Sequence, residues 1–131
     1  MTNPFVITVA SDSMRVGKTT AVKVIAQGLR KWGNEVVESY EDWQNNPYLK
    51  ASYEDPAKNF LESQKWFIRR KLEQLSNPQG QVFVQDVAPQ MDYNYALTNK
   101  VIGRMSRGDF GEYDKYYQYL TKDGLPRVDL M

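Results

Sequence analysis

Residues that could bind phosphate occur near the start of the 131-residue chain, within residues 9–29. Gly17, Lys18 and Thr19 match the end of a phosphate-binding loop, where glycine allows close backbone approach, lysine brings charge and threonine ligates Mg²⁺. We therefore predict ATP, or another nucleoside triphosphate, and Mg²⁺ as cofactors. The predicted cofactor-binding residues are Asp12, Ser13, Met14, Arg15, Val16, Gly17, Lys18, Thr19 and Thr20.

Asp12 stands where such a loop ordinarily begins with glycine. Aspartate tolerates the turn and left-handed conformations that the first glycine provides, and its carboxylate can turn away from the phosphates. Electrostatic repulsion is expected to reduce nucleotide affinity. The loop predicts a nucleotide-binding class but no particular reaction, since residues 16–20 are also similar to plasmid-partitioning ATPases and dethiobiotin synthetase.

The elements around this loop are those that a phosphate site requires. Residues 5–10 form an apolar run rich in β-branched side chains, which predicts a buried parallel strand. A helix over residues 18–32 and a strand over residues 35–39 complete a βαβ unit. Further helices are predicted over residues 56–75, 89–105 and 112–120, a third strand over 81–87 and the start of a fourth strand over 125–131.

This alternation predicts one α/β domain over residues 1–131, an open parallel sheet between two helical layers (α/β/α). Ligands of such folds bind beyond the carboxyl ends of the strands. Residues 10–18, 38–42 and 86–92 follow the three strands and are therefore expected to lie near one another.

Composition excludes several kinds of chemistry. The chain has no cysteine and no histidine, so disulfides, Cys/His zinc sites and serine–histidine catalysis are excluded. A net charge of +1 gives no field that would recruit a nucleic acid polymer. No apolar run approaches the length of a membrane span, and the N-terminus does not match a signal peptide. A cytoplasmic protein without membrane contact is the expectation.

A second group of residues follows the second predicted strand. Glu41 lies five residues before Asn46-Pro47, which is followed by Tyr53-Glu54-Asp55-Pro56 at the head of a helix that contains Gln64. Together with the phosphate loop, this combination resembles the deoxynucleoside kinases, especially the bacterial deoxyadenosine/deoxyguanosine kinase group. The resemblance extends from Val6 to about Leu120 and weakens after Leu75.

The resemblance implies a P-loop kinase-like fold and an enzyme that transfers the ATP γ-phosphate to the 5′-hydroxyl of a purine deoxynucleoside. By resemblance, Glu41 is the catalytic base, with Lys18 as its catalytic partner on the phosphates. Asp86 matches an acid that supports magnesium, so the predicted metal residues are Thr19 and Asp86. The sequence leaves open whether Glu41 is instead an ordinary loop residue.

The resemblance also assigns substrate-binding residues. Tyr53 matches a tyrosine that contacts the sugar 3′-hydroxyl, and the amide of Gln64 matches a reader of the base edge. Phe60 and Phe67 form either the base slot or ordinary core. The predicted substrate-binding residues are Trp43, Tyr53, Phe60, Gln64, Phe67, Lys71 and Asp92. Trp43 is a candidate lid, Lys71 stands where the family has an arginine, and Asp92 matches an aspartate that helps to read the base.

Two departures from the family pattern stand out. Val87 replaces the arginine of the triplet that ends the third strand, and the chain ends at Met131 before the arginine-rich lid of the family. An arginine finger is worth roughly 10³–10⁵ in rate elsewhere. The chain is therefore expected to lack the C-terminal part of the fold, as a fragment or a naturally short relative, and to transfer little phosphate.

Alternatives remain open at this point. The chain could be a non-catalytic kinase-like subunit that binds a nucleoside or nucleotide, or a partitioning-type ATPase. Homodimers or hetero-oligomers through the helices are also possible. Tyrosines on the last predicted helix would either line such a surface or cover the sheet within one chain; they are Tyr113, Tyr116, Tyr117 and Tyr119.

Overall fold

A computed structural model describes residues 3–10, 17–86 and 88–131. Asp12, Ser13, Met14, Arg15, Val16 and Val87, which figure in the predictions above, lie outside the described residues. Within the described part, the strands are β1 (Phe5–Thr8), β2 (Val36–Ser39) and β3 (Val82–Gln85). The α-helices there are α1 (Lys18–Lys31), α2 (Leu49–Glu54), α3 (Pro56–Leu75), α4 (Pro89–Val101) and α5 (Arg107–Leu120), with a short 3₁₀ helix over Trp43–Asn45.

The strands form a parallel sheet in the order β1-β3-β2. All four residues of β3 are buried, because this strand is central in the sheet and covered on both faces. A buried parallel strand of this kind reads as a continuous apolar run in the sequence, which explains why it was recognisable. The predicted α/β fold with an open parallel sheet is confirmed.

The chain divides into two compact units. The first spans Met1–Glu41, Glu73–Ala88 and Pro126–Met131 and contains the sheet. In this unit Val22 and Ala26 of α1 pack with Val82 and Val84. Leu75, at the end of α3, packs with Val6 and Phe83, which alternate with the α1-facing residues and therefore point to the other face. The sheet is thus covered by helix on both faces, as the apolar periodicity predicted. The single domain over residues 1–131 stays a prediction.

The second unit spans Asp42–Leu72 and Pro89–Leu125 and is helical. Its core contains side chains from α3, α4, α5 and the loop between α4 and α5, namely Phe60, Ile68, Ala96, Met105, Tyr113 and Tyr117. Tyr113 and Tyr117 are therefore internal to this unit, whereas Tyr119 is exposed. Of the tyrosines considered for a partner surface or a cover over the sheet, these two instead pack in the helical core.

Several element boundaries differ from the sequence-based expectations. The helix α5 begins at Arg107, five residues earlier than predicted, because the hydroxyl of Ser106 accepts the Asp109 N–H and caps it. The helix α4 ends at Val101, before Gly103, whose φ of 86° is left-handed. The helix α2 and the 3₁₀ helix lie between the second predicted strand and the helix over residues 56–75, where no helix was predicted.

The C-terminal segment does not form the expected fourth strand. It makes an isolated parallel bridge between Ile7 and Leu130. The Thr8 N–H donates to the Leu130 carbonyl at 2.8 Å, and the Val6 N–H donates to the Asp129 carboxylate at 2.7 Å. These bonds satisfy backbone groups at the β1 edge. None of the helices in the described residues is long and apolar enough to cross a membrane.

Candidate functional site

The phosphate end of the candidate site is built around the start of α1. Gly17 precedes the helix with a φ of 82°, a left-handed conformation that favours glycine. A Cβ added there would meet no atom of the described residues within 4 Å, so the requirement for glycine that the structure shows comes from the backbone conformation. Lys18 and Thr19 follow as the first residues of α1, where the helix N–H groups and dipole favour a bound anion.

Asp86 directly follows β3 and joins three segments of the first unit. Its Oδ2 accepts a hydrogen bond from the Thr19 hydroxyl at 3.2 Å, and its Oδ1 accepts one from the backbone N–H of Glu41 at 2.9 Å. Its own N–H donates to the Ser39 carbonyl at the end of β2. Burial raises the pKa of this carboxyl, although the hydrogen bonds from Glu41 and Thr19 act in the opposite direction. The strand ends therefore meet as the βαβ topology predicted.

The Thr19 hydroxyl and the Asp86 carboxylate fit the oxygen donors that Mg²⁺ prefers. No group of three or more His, Cys, Asp or Glu side chains that could hold a metal occurs within residues 3–10, 17–86 and 88–131. A magnesium site of this class does not need such a group, because nucleotide phosphates and water supply the other ligands.

Glu41 is the second residue after β2 and is half-buried. The peptide group that joins it to Tyr40 is held at both ends, because Gln74 Nε2 donates to the Tyr40 carbonyl at 2.8 Å while the Glu41 N–H donates to Asp86. No sequence pattern indicates a role for Gln74, since only the tertiary fold brings the last turn of α3 to this loop.

The end of β2 is also restrained by a cluster of hydrogen bonds that the sequence patterns did not predict. Arg30 donates to the Glu38 carboxylate at 2.7 Å and to the Val36 carbonyl at 2.9 Å, and the Tyr40 hydroxyl donates to the same carboxylate. Burial, followed by the hydrogen bond to Glu38, raises the pKa of Tyr40 to about 12. The hydrogen bonds from Tyr40 and Arg30 lower the pKa of Glu38. These bonds restrain the strand that leads into Glu41.

In the second unit, α3 places the predicted substrate residues Phe60, Gln64, Phe67 and Lys71 on one buried stripe. Lys71 forms an ion pair with Asp92 of α4, and its ammonium lies 5.2 Å from the centre of the Phe67 ring. Three predicted residues are thus brought together. Phe60 packs against Tyr95 in the core of the unit, with ring centres 6.0 Å apart, so its packing role is the one observed.

Gln64 contains a buried amide oxygen. Its Oε1 has no hydrogen-bond partner among the described residues, and the residue is 4% exposed. Burying an amide oxygen without a hydrogen bond costs about 1–3 kcal/mol. A ligand that donates a hydrogen bond to this oxygen would remove that cost.

Asn46 connects the loop after Asp42 to the same helix. Its amide nitrogen donates to the Ser63 hydroxyl at 3.1 Å, and its Oδ1 accepts the Tyr48 N–H at 2.9 Å. The residue is buried, so the Asn-Pro motif has a structural function next to Gln64. A buried asparagine in a turn is the signal by which sequence could have found it.

Trp43 and Tyr53 are exposed by 56% and 69% respectively. Trp43 lies in the 3₁₀ helix and Tyr53 near the end of α2. Neither shares the buried stripe of α3, so the structure does not gather them with Gln64, Lys71 and Asp92. Thr20 is likewise exposed on α1.

Comparisons with known proteins can be set beside this geometry. A family model described as deoxynucleoside kinase matches residues 9–131. Among solved structures, the chain resembles deoxyadenosine kinase from M. mycoides with the products dCMP and a flexible dCDP bound, with a TM-score of 0.70 at 17% identity. The match covers 94% of this chain and 57% of that one. No curated protein matches the chain.

Proposed function

The chain belongs to the deoxynucleoside kinase family, and from this premise we propose that it transfers the γ-phosphate of ATP to the 5′-hydroxyl of a purine deoxynucleoside, a step of nucleotide salvage. The observation that carries the proposal is the Asp86 carboxylate, which accepts both the Thr19 hydroxyl and the Glu41 N–H. One carboxylate thereby connects the residues proposed for phosphate and metal binding with the proposed base.

The phosphates of ATP would bind at the loop over residues 12–20 and at the first turn of α1. Lys18 would contact the transferred phosphate, and Thr19 and Asp86 would hold Mg²⁺. When bound, the metal ion would neutralise charge on the phosphates during transfer. The raised pKa of Asp86 is consistent with this role, because its buried carboxylate has less solvation than it would have in water and gains from a nearby cation.

Glu41 would take the proton from the nucleoside 5′-hydroxyl as that oxygen attacks the γ-phosphorus. The new bond joins the 5′-oxygen to phosphorus, and the bond from phosphorus to the β–γ bridging oxygen breaks. ADP leaves with the electron pair of that bond. Glu41 is the first residue after Tyr40, whose peptide carbonyl and the following N–H are both restrained by hydrogen bonds.

The nucleoside would be recognised by the buried stripe of α3. The Oε1 of Gln64, which has no hydrogen-bond partner among the described residues, is suited to accept the exocyclic amine of a base. Phe67 supplies an apolar ring beside the Lys71–Asp92 pair. Exposed Tyr53 and Trp43 would contact the sugar and the base only if they close over the ligand.

The proposal is tested by titrating the chain with deoxyadenosine, deoxyguanosine and deoxycytidine in a calorimeter and then assaying phosphorylation with magnesium-ATP. We expect binding of a purine deoxynucleoside and slow turnover, because Val87 stands where the family has an arginine, and we expect that turnover to fall about 10²-fold or more in Glu41→Gln. Glu112→Gln, which changes an exposed carboxylate on α5, is the matched control. Absence of nucleoside binding would overturn the proposal.

A non-catalytic nucleoside-binding subunit is the alternative outcome of the same assay. It would bind nucleoside through Gln64 but give no turnover, and Glu41→Gln would leave binding unchanged. The family match argues against the third possibility, a partitioning-type ATPase.

A further inference from the structure

The peptide group between Tyr40 and Glu41 is held by two side chains that come from different segments. Gln74 Nε2, on the last turn of α3, donates to the carbonyl oxygen at 2.8 Å. Asp86 Oδ1, just after β3, accepts the N–H at 2.9 Å. A peptide group is planar, so hydrogen bonds at its oxygen and at its N–H both oppose rotation of the plane about the line that joins the two Cα atoms. The direction in which the Glu41 side chain leaves the backbone then depends on few remaining torsions.

We propose that Gln74 is a positioning residue for phosphoryl transfer, acting through the Tyr40–Glu41 peptide to orient the Glu41 carboxylate. The inference rests on the proposed function, because it assumes that Glu41 is the base. It assigns a role to a residue that lies outside the phosphate loop and the nucleoside-binding stripe.

The surroundings of Gln74 favour this role over simple helix stabilisation. The side chain is bonded to the Glu41 loop and not to its own helix, and its Oε1 is buried without a hydrogen-bond partner among the described residues. A buried amide oxygen without a partner is unfavourable for stability. Gln74 therefore contributes less to stability than an amide with both of its polar atoms hydrogen-bonded would. The hydrogen bond from its Nε2 holds the peptide before Glu41.

Asp86 alone would not orient this peptide. A hydrogen bond to the N–H restrains one end, and the peptide plane can still rotate about it. Asp86 would also bind Mg²⁺ in the proposed mechanism, which draws its carboxylate toward the metal. Gln74 would hold the peptide plane in place when magnesium binding changes the contacts of the Asp86 carboxylate.

The test uses Gln74→Met, which keeps the length of the side chain and removes the donor. We expect kcat to fall about tenfold, in line with the sensitivity of transfer to small misplacements, while KM for the nucleoside and affinity for ATP stay unchanged. In a Glu41→Gln background the same change should have no further effect on kcat, because a positioning residue acts only through the base it orients. Gln118→Met, which removes an amide that donates to Asp114 on α5, is the control.

The outcomes separate the two claims. If the wild-type chain does not turn over, the proposed function fails and the inference fails with it. If the wild-type chain turns over and Gln74→Met retains full kcat, the inference alone is wrong. Equal losses of kcat in the wild-type and Glu41→Gln backgrounds would show that Gln74 acts through general stability. Amide hydrogen exchange at Glu41 should accelerate in Gln74→Met, and an unchanged rate would also overturn the inference.

Discussion

Lys71 and Asp92 form an ion pair from which solvent is nearly excluded, since the two side chains are 6% and 10% exposed. The pair connects α3 to α4 within the helical unit. Removing one member of a buried pair leaves a charge in a poorly solvated place, whereas removing both does not. We therefore expect a substitution that removes one of the two charges to cost more stability than a double substitution that removes both.

We predict that Lys71→Met lowers the free energy of unfolding by about 3 kcal/mol. The double variant Lys71→Met, Asp92→Leu should lose less than the sum of the two single losses. Urea unfolding measures all three variants. The control is Lys65→Met on the same helix, whose partner Glu112 is largely exposed, and it should change stability by about 0.5 kcal/mol or less. Additive losses in the double variant would contradict the prediction.

Asp86→Asn should separate stability from function. Because burial raises the pKa of Asp86, the folded chain holds that proton more tightly than the unfolded chain, and ionisation costs stability as pH rises above the usual value of 3.8. Asparagine keeps an oxygen that can accept the Glu41 N–H and carries no charge. We expect the variant to be more stable than wild type at neutral pH, with the difference shrinking as pH falls toward 4.

The same variant should lose magnesium-dependent function. ATP affinity should cease to depend on Mg²⁺ and kcat should fall about 10²-fold, because the charged metal ligand is removed. Unfolding curves across pH and calorimetry with and without Mg²⁺ measure the two effects. Asp114→Asn, which changes a carboxylate on α5, is the control for both. Magnesium-dependent ATP binding that survives in Asp86→Asn would assign the metal to other ligands.

Gly17 and Gly28 give a matched pair on one helix. A residue with a Cβ at Gly17 must adopt a φ of 82°, although no atom in the described part of the chain lies within 4 Å of that Cβ. Gly17→Ala should therefore destabilise the chain by about 1–2 kcal/mol. Gly28 lies inside α1 with equal space and ordinary helical backbone, so Gly28→Ala should stabilise by about 1 kcal/mol. Thermal unfolding measures both, and shifts of the same sign would contradict the prediction.

Much of the fold was predictable because it depends on local periodicity. Pro56 at the first turn and the apolar stripe to Leu75 define α3, whose observed bounds match the prediction. The start of α5 was missed because a single hydroxyl, that of Ser106, determines it. The fourth strand was predicted over residues 125–131 but does not form, because the apolar residues there make only an isolated bridge to β1.

Parts of the candidate site were predictable from residues that adjoin strand ends. Residues 38–42 and 86–92 were expected to lie near each other because parallel strands end at one edge, and the Glu41 N–H donates to Asp86. The contact of Gln74 with the Tyr40 carbonyl joins residues 34 positions apart, and no local pattern encodes it. The exposure of Tyr53 also depends on tertiary packing, which the motif does not specify.

The Tyr40 hydroxyl should make stability depend on pH in the alkaline range. Its pKa is raised from 10.0 to about 12, so the folded chain retains the phenolic proton that the unfolded chain releases. The stabilisation from its bond to Glu38 is present below pH 10 and is lost as pH rises toward 12. Tyr40→Phe should lose about 1–2 kcal/mol at neutral pH and a smaller amount at high pH.

Chemical unfolding at a series of alkaline pH values measures this difference. Comparison with wild type cancels the contributions of Tyr93, Tyr113 and Tyr117, whose pKa values burial also raises. Tyr48→Phe, at an exposed tyrosine, should change stability by about 0.5 kcal/mol or less. A difference between wild type and Tyr40→Phe that does not vary with pH would exclude the proposed titration.

Asn46 and Asn45 are neighbours, and we expect their substitutions to differ in their effects on stability and on nucleoside binding. Asn46 is buried and its amide bonds Ser63, one residue before Gln64, while Asn45 is exposed and bonds Asp42. Asn46→Ala should destabilise by about 2 kcal/mol, because it leaves buried partners unsatisfied. It should also weaken nucleoside binding several-fold, since the loop no longer restrains α3 beside Gln64. Asn45→Ala should change both quantities little, and calorimetry with a purine deoxynucleoside measures the second. Equal effects of the two substitutions would mean that the Asn-Pro motif contributes only a turn and has no part in shaping the nucleoside site.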